Sequence, residues 1–249
     1  MSIKVQKAVN LAPPVSKVHD GGSGDSNWAP YPRSNQIAYA TKLAHLPKIR
    51  QGLAELTEIM VHVQELLYDD RLLPSFHTLF AQAEVPYNCL QRWLEDWPDA
   101  SQVGNEPVPQ LLILRIQCLQ AVMCLVESLI ERDQQRSMAN RLQQTWFEQA
   151  VEMAQCLRFY RQSYGLKHVP SQVADAVRTA LQVLVHQLDH SREVRQAFME
   201  ILRFVVALSQ KFKPAADAVH AVQILSQRGA VMLPTEAVVI LGASETREI

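Results

Sequence analysis

His186 and His190 stand four residues apart, a spacing that sets two imidazoles on one helix face where they can share a divalent metal. Asp189 lies between them and adds a carboxylate. A zinc hydrolase helix of this kind also needs a general-base glutamate directly after its first histidine, and Gln187 holds that place. The pair therefore reads as a solvated helix end, where imidazoles complement the carbonyl terminus. His62 falls one turn from Glu58 and from Glu65, a geometry suited to proton transfer, but the water-facing side of any amphipathic helix produces such neighbours. No Gly-x-Ser-x-Gly turn is present to expose a serine nucleophile. Cys118 and Cys124 sit in the most apolar stretch, where burial raises a thiol pKa and makes sulfur unreactive. Trp93 and Trp97, like Trp146 and Phe147, read as packing anchors instead of a stacking platform for bases. The expectation is a chain with no catalytic residues, no cofactor-binding set and no metal ligands, and hence not an enzyme.

The elements that would have to position any such chemistry are helices. Leu46, Ile49, Leu53, Leu56, Met60, Val63 and Leu67 recur at alternating spacings of three and four, which draws one apolar seam along a helix of about six turns. That seam is a possible interaction surface for a second chain, with burial inside the domain the stronger expectation. Glu55, Glu58, His62 and Glu65 lie off it and should face water. Pro74 and Ser75 open a second segment that Pro86 is expected to interrupt and Pro98 to end, because proline removes an amide donor and clashes with the preceding turn.

Residues 111–130 are apolar nearly throughout, which predicts the least exposed helix of the fold. The stretch approaches bilayer length, but Arg115, Gln117, Gln120 and Glu127 punctuate it, so a core helix is expected and no membrane span. Trp146 to Tyr160 carry the next stripe, with Gly165 as its terminator, and Val173 to Leu188 another. Ser191 is placed to cap a helix running from Val194 to Leu208, which Lys213 and Pro214 follow. A shorter helix should end at Arg228 and Gly229. Ala237 to Leu241 fits a helical turn or a strand equally. No alternating stretch is long enough for a sheet and no repeat of solenoid period is evident, so the fold class is all-α, an irregular bundle of seven or eight helices.

Residues 1–34, with Pro13, Pro14, a glycine-rich run at 21–24, Pro30 and Pro32, are expected to form a flexible arm. Residues 35–241 then make the helical domain and 242–249 a flexible tail. The chain has 249 residues, with 24 Lys and Arg against 25 Asp and Glu, so its formal charge of −1 offers no blanket attraction to nucleic acid. Four cysteines, scattered in apolar segments, do not make a disulfide scaffold and suit a reducing compartment. No basic region followed by an apolar one opens the sequence as a secretory signal would.

Several segments, taken in order, resemble a known family. These are Trp28-Ala29-Pro30-Tyr31-Pro32, the helix with Leu53 to Ile59, and Leu90-Gln91-Arg92-Trp93-Leu94 before Pro98. Pro109-Gln110-Leu111-Leu112-Ile113-Leu114, then Gln120-Ala121-Val122-Met123-Cys124-Leu125, and the run from Trp146 to Gly165 with Ala150, Ala154, Tyr160 and Tyr164 complete the set. In this order they are similar to the C-terminal regulatory region that follows the middle homology region of fungal zinc binuclear cluster transcription factors, of the nitrogen-assimilation type. Ser128 stands where the family pattern carries proline, so the apolar helix is expected to run past it. The family's DNA-contacting metal site needs six closely spaced cysteines, whereas Cys89, Cys118, Cys124 and Cys156 are separated by 29, 6 and 32 residues. The resemblance implies a nuclear, regulatory fragment without its zinc cluster, which contacts proteins and not nucleic acid: the rest of the factor, a second copy or a coregulator. A free-standing helical adaptor or small-ligand-binding protein is the alternative.

Overall fold

Helix α3, Pro109–Arg132, is the centre of the first five helices. Among its 24 residues only Glu131 is exposed, and thirteen are buried, from Leu111 to Leu129. By length and composition it could cross a membrane, but most of its surface is covered by other helices of the same chain. The helix continues past Ser128, as the missing proline allows. The computed structural model describes residues 27–28, 42–43, 46–68, 76–96, 109–133, 138–166, 169–189 and 191–245. Besides α3 these form α1 (Leu46–Tyr68), α2 (Phe76–Asp96), α4 (Ala139–Tyr164), α5 (Gln172–Val185), α6 (Arg192–Ser209), α7 (Lys213–Gln227) and α8 (Thr235–Glu245). The all-α expectation holds, with eight helices among the described residues.

Local chemistry explains where helices stop. Gly165 adopts φ 72° after α4, and its amide donates to the Arg161 carbonyl at 2.9 Å. The Ser191 hydroxyl accepts from the Val194 amide at 3.2 Å and so caps α6. Pro214 lies in the first turn of α7, where its missing N–H costs nothing. At the other end Gly229, φ 66°, turns the chain so that the Ala230 amide reaches the Leu225 carbonyl at 3.0 Å.

Three outcomes differ from the sequence. Pro86 does not divide the second segment: α2 is continuous and Pro86 is buried within it, so the packing of the whole apolar face of the helix outweighs the local cost of the proline. Ala237–Leu241 belong to a helix that runs to Glu245, beyond the boundary placed at 241. A two-residue antiparallel ladder pairs Asn27 with Leu43 and Trp28 with Lys42, too short for alternation to announce it. The rest of the arm at 1–34, and residues 246–249 of the tail, lie outside the described residues.

The helices pack in an ordered way. Every substantial helix contact among the described residues joins elements one or two apart in the chain. One row runs α1, α3, α5, α7, each touching the next; α4, α6 and α8 form a second row against it. That near-neighbour stacking is the packing logic of α-solenoids, reached here without a sequence repeat. Two ion pairs join neighbouring helices, one between the rows and one within the second. Arg115 of α3 reaches Glu152 of α4, with Nε to Oε1 at 3.1 Å, and donates from Nη1 to the Leu94 carbonyl of α2. Within the second row, Arg161 of α4 grips Glu200 of α6 through both carboxylate oxygens.

Candidate functional site

The seam read from α1 turns inward. Leu56 and Val63 are buried, Ile49, Met60 and Leu67 are partly buried, and Leu53 is exposed at 37%. The side chain of Leu46 lies outside the described ones. The seam meets α2 and α3, and Trp93 of α2 fixes the register by donating from Nε1 to the Gly52 carbonyl at 3.3 Å. Its off-seam neighbours Glu58, His62 and Glu65 are exposed.

His186 and Asp189 are exposed in the turn after α5, and His190 lies outside the described residues. Among the described residues no group of three His, Cys, Asp or Glu side chains is placed to hold a metal ion. Cys118 is buried and donates to the Leu90 carbonyl at 3.6 Å, and burial drives its thiol pKa far up. Burial raises Cys124 to about 11, with Glu127 reinforcing the shift. Both sulfurs are therefore protonated at neutral pH. An open cleft of about 480 Å³ follows the outer side of α4, between Arg115 of α3 and Glu193 of α6, over Phe147 and Val151.

The apolar surface lies elsewhere. Of the six large apolar side chains that stand exposed among the described residues, three fall within residues 232–239: Met232 at 85%, Val238 at 54% and Val239 at 65%. They belong to α8 and the loop before it. On the inner side of α8, Ala237 and Leu241 are buried against the core, where α8 meets α6. The sequence signal was present as an unbroken apolar run, but such a run has no period from which to assign faces. No protein-family model, curated protein or solved structure matches the chain.

Proposed function

We propose that the chain is the regulatory, non-DNA-contacting helical region of a fungal transcription factor. On this reading it works in the nucleus, without bond-making chemistry or a cofactor, by contact with the rest of the factor, a second copy or a coregulator. The observation that supports it is the outward apolar side of α8 and the loop before it, with Val238, Val239 and Met232 in water while Ala237 and Leu241 face the core. A helix apolar on both sides is ordinarily covered on both. The near-neighbour helix stack favours a second reading, a free-standing adaptor, because such stacks present long surfaces to other proteins.

The test joins the full chain to an unrelated DNA-binding head and measures transcription from a reporter carrying that head's site. The fusion should change reporter output relative to the head alone. Val238→Asp with Val239→Asp should abolish the change while leaving the helical circular-dichroism signal intact. A folded, nuclear fusion without effect on output would overturn the transcriptional reading in favour of the adaptor.

A further inference from the structure

The large apolar side chains that stand exposed among the described residues are unevenly placed. Leu53 and Val61 belong to α1 and Val85 to α2, while Met232, Val238 and Val239 belong to α8 and the loop before it. Helices α3 to α7 expose none. Thr57 stands midway between Leu53 and Val61, four residues from each, so the three share one side of α1. The short connection at 69–75 makes α1 and α2 antiparallel neighbours, and the bond from Trp93 to the Gly52 carbonyl fixes their register. Eight residues on from Gly52 and eight back from Trp93, Val85 comes level with Met60, next to Val61.

A stack in which each helix covers its chain neighbours leaves one face over at either end, and such stacks ordinarily close with end helices that are polar outside. Here the ends are the apolar part. Helix α8 closes the second row by packing on α6 through Ala237 and Leu241, so its outer side stands where the next helix of that row would sit. Helix α1 opens the first row, with Leu56 and Val63 turned inward and Leu53 and Val61 in water. Charge decides which ends suit each other. Helices α1 and α2 carry six carboxylates against three cations, whereas residues 228–242 hold only Arg228 and Glu236. Two α1–α2 ends would repel, and an α1–α2 end against the neutral α8 end does not. A contact between unlike ends also covers both apolar faces, where a contact between like ends covers one.

We infer that copies of this chain associate head to tail, with α8 and the loop before it seated on the α1–α2 end of the next copy. Met232, Val238 and Val239 then meet Leu53, Val61 and Val85, and the helical stack continues from one copy into the next. Because the two faces differ, the contact is heterologous and leaves a free face at each end of the assembly, so it grows with concentration until a ring closes. The inference rests on the same uncovered α8 face as the proposed function and names a second copy as its occupant.

Sedimentation velocity on the full chain over a concentration series tests the inference. The average mass should rise above that of one chain as concentration increases. A tail variant, Val238→Asp with Val239→Asp, and a head variant, Leu53→Asp with Val61→Asp, should each sediment as a monomer. Mixed in equal amounts, the two should form a dimer and nothing larger, because only one pair of intact unlike faces remains. Gln196→Asp, at an exposed position of α6, should associate as the unaltered chain does. An unaltered chain that stays monomeric, a head variant that still dimerises through α8, a mixture that stays monomeric, or an equal loss in the Gln196 variant would each overturn the proposal. Thermal melts separate lost association from lost fold, and Val85→Asp on α2 replaces the α1 pair if that variant unfolds. Copies that stack yet leave the reporter unmoved would refute only the transcriptional role, and a monomeric chain that moves the reporter only the stacking.

Discussion

Glu200 is 1% exposed, and its carboxylate would be untenable there without the cations that face it. Arg161 meets it through Nε at 2.5 Å and Nη2 at 3.0 Å, and Arg203 adds a contact at 3.3 Å. The hydrogen bond to Glu200 in turn holds the Arg161 guanidinium more firmly protonated than usual. Arg161→Ala leaves the buried anion with Arg203 alone and should lower unfolding stability by about 3 kcal/mol. Adding Glu200→Leu removes the stranded charge, so the double variant should recover most of that loss in urea denaturation. The thiols of α3 make a different prediction. The folded chain holds the Cys124 proton up to about pH 11, whereas an exposed thiol releases it near 9.0. The contribution is therefore complete below pH 9 and is lost as the pH climbs through 11, by about 3 kcal/mol at most for this group. Urea midpoints should hold steady from pH 7 to 8.5 and then fall, and Cys124→Ala should flatten the alkaline slope. A slope unchanged in that variant would show that other groups carry it.

At the scale of elements, α2 shows how tertiary packing overrides a local rule. An internal proline costs about 3 kcal/mol of helix stability, and burying its ring returns about half of that, 1–2 kcal/mol. Pro86→Ala should consequently stabilise the chain by about 1 kcal/mol, visible as a rise of about 3 °C in the thermal midpoint. A fall would mean that the ring fills its site better than this balance allows. The interruption at Pro86 was legible as a local tendency, whereas its suppression required knowing that Leu79, Ala83, Leu90 and Trp93 are buried along the same helix. Where apolar residues recur with a clear period, as in α1, α5 and α6, existence and facing of the helix were both readable. In α8 the run Ala237 to Leu241 was recognisable as apolar, but without alternation it could not say that Val238 and Val239 turn outward.

For the molecule as a whole, the substantial helix contacts among the described residues join elements one or two apart, so each element is covered by those made shortly before and after it. This has a consequence for biosynthesis. A ribosome delivers α3, the 24-residue helix whose apolarity matches that of a membrane span, before α4 and α5 exist to enclose it. Until residue 185 has been released, the nascent polypeptide presents this rod to chaperones and to the machinery that sorts apolar segments toward membranes. A chain terminated after Gly165 keeps α3 but forfeits the enclosure given by α5, so on expression it should accumulate in the pellet or with chaperones while the full chain stays in the supernatant. Its recovery as a dispersed monomer would show that α1, α2 and α4 suffice. The order of synthesis thus makes the C-terminal half an internal safeguard for the most hazardous segment of the N-terminal half.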